Sequence, residues 1–170
     1  WYSMNEFDLK ARMWDANPMH IERADTIARQ ILDVIPVFPS MNALEFGAGT
    51  GLTSFLLKDH FREITMMDNS PEMVKIMNEK IASTASVNLK ALLHDLEKDD
   101  YFEKKFDVVI SQMVLHHVTG IEALIGRFQR LLNHGGYLAI ADLCPEDGTF
   151  HGSSFSGHRG FDPEKLSSLI

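Results

Sequence analysis

The stretch NALEFGAGTGLTSFLL, residues Asn42 to Leu57, decides how the chain reads. Asn42–Phe46 has the apolar density of a short buried strand, and Thr50 to about Lys58 has the spacing of a helix. Between them Gly47, Gly49 and Gly51 take every second position. The first glycine permits a tight exit from the strand, and the other two strip side chains from backbone that a ligand must approach. The helix start beyond them offers unpaired N–H groups and the positive end of a dipole, which suits a pyrophosphate or a carboxylate.

Outward from that loop, apolar runs alternate with helical patterns. Asn17-Pro18 reads as a helix start, with Asn as cap and Pro in the first turn, and Pro36 ends that helix. Further strands are read in REITMMD (Arg62–Asp68), VNLKALLHD (Val87–Asp95), KFDVVISQMV (Lys105–Val114) and GYLAIADL (Gly136–Leu143). Ser70-Pro71 opens a helix with Met73, Met77 and Ile81 on one face. Thr119 and Glu122 read as a capping box before a helix carrying Leu124, Ile125, Phe128 and Leu131, which the Asn133–Gly136 turn ends. Asp162-Pro163 opens a last helix. Strand alternating with helix in this way predicts an α/β domain, its largely parallel sheet covered on both faces. The ligand site of such a sheet lies beyond the carboxyl ends of the strands.

The 170 residues suffice for one domain with a real core. With 45% apolar and 24% charged residues, the balance is that of a globular protein. A net charge of −8 without a Lys/Arg cluster argues against nucleic acid or an anionic membrane as partner. No apolar run approaches the roughly 18 residues of a membrane span. Cys144, the single cysteine, can form no internal disulfide, so a cytoplasmic protein is expected. Met4 reads as the natural start after Trp1–Ser3.

A dinucleotide fingerprint, G-x-G-x-x-G, needs its third glycine where Leu52 stands, which weakens the alternative of a nicotinamide-dependent oxidoreductase. Asp68 ends the second strand and places a carboxylate where both hydroxyls of a ribose could donate to it. It would repel a phosphorylated ribose. The structural alternative is an ordinary turn residue ahead of Asn69-Ser70-Pro71.

Five segments in order carry a resemblance: LEFGAGTG (Leu44–Gly51), MMDNSPEM (Met66–Met73), HDLE (His94–Glu97), FDVVISQMVLHHV (Phe106–Val118) and LLNHGGYLAIAD (Leu131–Asp142). Together they resemble the class I S-adenosylmethionine-dependent methyltransferases of the small-molecule type, and more loosely the ubiquinone/menaquinone-biosynthesis group. The resemblance implies a Rossmann-like doubly wound sheet and S-adenosylmethionine as cofactor, with S-adenosylhomocysteine as product. The methyl group would pass to a small-molecule acceptor by in-line displacement. Glu45, Phe46, Gly47, Gly49 and Gly51 would form the pocket for the methionine moiety. Asp68 would take the ribose hydroxyls, Asn69 would lie along the adenine edge, and Met73 would pack near its face or serve only as core. Asp95 would accept from the adenine amino group, the Leu96 N–H would read the ring, and Gln112 would line the methionine side through its backbone. The other function left open is a non-catalytic partner or sensor that binds the same cofactor.

A methyl group on a sulfonium is already activated, so the protein mainly aligns it with its acceptor. A base is needed only where the acceptor carries a proton. His116 and His117, after the fourth strand, are the candidate catalytic residues. Adjacent side chains diverge, so at most one is expected to face the pocket, and a purely structural pair is the alternative. No ligand spacing such as H-x-x-x-H is visible, so no metal is expected. Residues 1–41 read as a helical cap and 42–170 as the cofactor domain. In the cap, Trp14 as a lid residue and His20 are the candidate substrate contacts, and His151 and His158 lie in a polar loop beyond the fifth strand. The family's sheet closes with an antiparallel hairpin that is missing here. Further C-terminal sequence, or a second copy in a homodimer, is expected to cover that edge.

Overall fold

The computed structural model describes residues 6–152 and 154–170, and the reading of Met4 as a start lies outside them. In chain order the elements are α1 (Glu6–Lys10), a 3-10 turn (Ala11–Ala16), α2 (Pro18–Val34), β1 (Asn42–Phe46), α3 (Leu52–Leu57), β2 (Glu63–Asp68), α4 (Pro71–Thr84), β3 (Leu89–Leu93), β4 (Phe106–Gln112), α5 (Ile121–Leu131), β5 (Leu132–Ala141) and α6 (Pro163–Ser167). Three helix starts follow the expected chemistry. The side chains of Asn17, Ser70 and Asp162 each accept from a backbone N–H in the first turn, with proline beside the cap.

The strands form one sheet in the order β3-β2-β1-β4-β5, every pair parallel. Chain direction across the sheet reverses at β1, so the loops after β1 and β4 diverge and leave a crevice at their carboxyl ends. Alternation along each strand splits the interior in two. Ala43, Ile64, Met66, Val108 and Ile110 pack with Ala28, Ile31, Leu57 and Met77 on one face. Leu44, Phe46, Met67 and Val109 pack with Leu124, Phe128 and Leu131 on the other. Helices α2, α3 and α4 thus cover one face and α5 the other, the Rossmann-like arrangement.

Three local expectations fail. No helix joins β3 to β4; Leu96 and Tyr101 of that link cover the α5 face directly. The Thr119 capping box does not form, because Gly120 is the N-cap and no side chain caps the helix. Asn133–Gly136 is drawn into β5 rather than forming a separate turn. Phe106 pairs with Leu132 and Val108 with Tyr137, so the intervening residues bulge around Gly135, whose φ is +76°. Among the described residues no strand pairs with the outer edge of β5.

Candidate functional site

The site is built from the carboxyl ends of β1, β2 and β4. Gly47 turns out of β1 at φ +64°, and a Cβ there would stand 2.5 Å from Val114 Cγ2, so only glycine fits. The loop is tied to β2 by the Ala48 N–H donating to the Met67 carbonyl (3.0 Å). Asp68 then locks the two strand ends together. Its carboxylate accepts from the Gly49 N–H (2.8 Å) and from the Ser70 N–H (2.9 Å), and the side chain lines a cavity beyond the sheet. Burial pushes its carboxyl up to about 6, against the lowering effect of those N–H donors.

Glu45 is buried beneath the same loop, where its carboxylate accepts from the Ser54 hydroxyl and from the Ser54 N–H (3.2 Å). Burial outweighs both donors and raises its carboxyl to about 7. Thr53 donates its hydroxyl to the Gln112 side chain, so Gln112 faces the cavity with its amide held by α3. Met113 follows in the left-handed region at φ +55° and also lines the cavity. A non-glycine residue held there marks a strand end fixed by its surroundings.

The cap closes the other side. Trp14 places its indole Nε1 3.7 Å from where a Gly49 Cβ would be, and His20 stacks on Trp14 with centroids 4.1 Å apart. The His20 Nδ1 lies 3.0 Å from the Trp14 carbonyl. Two carboxylates moor this segment. Asp8 accepts from the Ser70 hydroxyl (2.6 Å), and Asp15 receives the Thr50 hydroxyl and the Lys80 ammonium (2.9 Å), which also bonds the Thr50 carbonyl (2.9 Å).

At the opposite end His116 and His117 occupy a 3-10 turn, Leu115–His117. His116 is buried, its Nδ1 2.7 Å from Asp142 Oδ1. Burial acts to raise Asp142, but His116 and the Leu143 and Leu115 N–H groups outweigh it and hold the carboxyl below its ordinary value. His117 lines the cavity. Burial, with His116 and His151 nearby, lowers it to about 4.

Of the residues singled out in the sequence, Glu45, Phe46, Gly47, Gly49, Asp68, Asn69, Met73, Asp95, Gln112, Trp14, His20 and His117 surround this one cavity. Three do not. Gly51, at φ +80°, caps α3, and a Cβ on it would meet Met66 Sδ at 2.6 Å, on the core side of the loop. Leu96 is fully buried among Phe106 and Leu124. His116 sits behind His117 on Asp142. Asp95 is half-buried and carries its own partner, Lys98 (2.7 Å). Sequence reasoning missed Arg23, Thr53, His94 and Glu97 in the wall, and the moorings Asp8, Asp15 and Lys80. No spacing flags the moorings, since their partners stand 35 to 65 positions away.

Residues 44–140, more than half of the chain, match a family model described as a methyltransferase domain. The chain belongs to that family. This methyltransferase domain is 30% identical over 146 residues to an uncharacterized methyltransferase of Schizosaccharomyces pombe, covering 76% of the chain and 51% of that protein. It is 33% identical over 131 residues to a polyketide synthase-nonribosomal peptide synthetase of Pyricularia oryzae, covering 72% of the chain and 3% of that protein. The domain therefore spans about half the length of the first relative and a small part of the second. Among solved structures, a SAM-dependent methyltransferase from Aquifex aeolicus superposes with a TM-score of 0.75 at 18% identity, covering 95% of the chain and 85% of that protein. That likeness is one of fold, and it supports the doubly wound architecture.

Proposed function

We propose that this methyltransferase domain binds S-adenosylmethionine in the cavity and passes its methyl group to a small-molecule acceptor at the histidine end. Asp68 carries the reading. Two backbone N–H groups already fix its carboxylate at the cavity wall, leaving acceptor capacity for a ribose diol. The residues fit the cofactor on three further counts: Gly47 has no room for a side chain, Glu45 sets an acidic group under the cationic side of the ligand, and Met73 and Phe46 offer apolar wall to a base.

The cofactor supplies a methyl already activated on a sulfonium, and the in-line displacement moves the carbon–sulfur bonding pair onto sulfur. The chain's residues bind, align and exclude water. Trp14 and His20 close the cap side, Gln112 and Met113 shape the β4 side, and His117, which lines the cavity, would meet the acceptor. His116, held on Asp142, packs against the His117 ring from behind. A cytoplasmic setting belongs to the same proposal and rests on the lone Cys144. The finer likeness to the ubiquinone/menaquinone group rests on motifs alone.

Calorimetric titration with S-adenosylhomocysteine tests the reading. Wild type should bind one equivalent, and Asp68→Ala, losing a charged acceptor worth about 1.5–3 kcal/mol, should bind about 10- to 100-fold more weakly. Equal affinity in the two proteins removes Asp68 from the ribose and the proposal with it.

A further inference from the structure

We propose that His116, His117 and His151 form a binding site for a divalent transition-metal ion of the zinc type, at the acceptor end of the cavity. The sequence shows no ligand spacing because the third histidine arrives from the loop after β5, far along the chain from the other two. In the fold one ring nitrogen from each of the three lies within 4.8 Å of the others. Zinc held at about 2.0–2.1 Å by imidazoles sets their nitrogens about 3.3 Å apart. Side-chain rotation closes that gap, and His151, exposed on its loop, is free to supply most of it.

Three observations make this a site rather than a chance crowding of rings. First, the Nδ1 of His116 is engaged by buried Asp142 at 2.7 Å, which leaves Nε2 as the ligand atom. A carboxylate on the far nitrogen is the arrangement that orients metal-binding imidazoles. Second, the loop is fastened where the cluster needs it. The His158 N–H donates to the His116 carbonyl (2.8 Å), and a Cβ on Gly157 would stand 2.2 Å from that oxygen. Third, Phe155 stacks on His151 at 4.2 Å and meets His117 edge-on at 5.3 Å, so an apolar ring backs two ligands.

The donor set is three imidazoles and no carboxylate. It suits zinc, cobalt, nickel or copper rather than magnesium or calcium, and it leaves a tetrahedral position open. His117 is both a member of the cluster and part of the cavity wall, so the open position borders the acceptor space. A metal there would draw an acceptor's oxygen or sulfur toward the methyl group and favour its deprotonated form.

The test uses the metal alone, so it is independent of the cofactor reading. Cobalt(II) is titrated into the full chain, with visible ligand-field bands as readout, and displaced by zinc in equilibrium dialysis. Wild type should bind one equivalent and show the bands of a four-coordinate histidine site. His151→Phe keeps a ring against Phe155 but has no donor, and it should weaken binding at least tenfold. His158→Gln, outside the cluster, should leave binding unchanged. Wild type without those bands overturns the proposal, as does equal metal binding by wild type and His151→Phe. Heat from S-adenosylhomocysteine, measured on the same samples, separates failure of this site from failure of the cofactor reading.

Discussion

Gly51 shows how one residue type does two jobs in a single loop. At Gly47 the missing side chain makes room for Val114, beside the cavity; at Gly51 it makes room for Met66 in the core and permits φ +80°. Gly51→Ala should therefore cost about 1–3 kcal/mol of stability, from left-handed strain and the displaced thioether, while cofactor affinity at the folded protein changes little. Urea unfolding paired with S-adenosylhomocysteine titration checks this, and an unchanged unfolding midpoint refutes it. The sequence signalled that the loop must be bare, since alternating glycines are a local pattern. It could not say which glycine faces what, because Met66 comes from β2 and Val114 from the loop after β4. Asp68 was legible for the complementary reason: its place at a strand end follows from the strand alone.

At the level of elements, the cap is coupled to the cofactor loops through carboxylates rather than through an apolar interface alone. Asp8 is buried and bonds the Ser70 hydroxyl, which in turn caps α4 by accepting from the Met73 N–H (3.2 Å). Asp8→Ala should destabilise the protein by about 1–3 kcal/mol, a fall in Tm of roughly 2–12 °C for a domain of this size. Scanning calorimetry checks it, and a Tm within about 1 °C of wild type, half the smallest expected shift, would show the contact to be idle. Helix starts at Asn17, Ser70 and Asp162 could be read from the chain because a cap and its proline are neighbours. The Thr119 capping box misled for the opposite reason: the turn after His117 sets the entry of α5, and Gly120 takes the cap. Neither Asp8 nor His151 carries any local sign of its role, since each acquires its partners only when distant segments meet.

For the whole molecule, the buried Glu45 and the partly buried Asp68 make stability depend on pH in a direction opposite to that of ordinary salt-bridged acids. Glu45 and Asp68 hold protons more tightly folded than unfolded, with values near 7 and 6. Between about pH 4 and 7 these two groups bind more protons folded than unfolded. Their contribution is present in full below the ordinary carboxylate range and is lost as pH rises through about 6 and about 7. The Tm of wild type relative to Glu45→Gln should therefore fall from pH 5 to pH 8 in calorimetry, and a difference that stays constant or grows contradicts the assignment. Cofactor binding should respond the other way, weakening as Asp68 protonates below about 6.

An all-parallel sheet has no hairpin from which to start. The central β1–β4 contact brings the Asn42 N–H to the Asp107 carboxylate (2.8 Å) across 65 positions of chain. Loop closure on that scale must precede any reward from the pairing. The crevice that holds the site exists only once β4 has docked, so competence to bind a nucleoside should emerge late in refolding, after the β1–α3–β2 segment has taken shape.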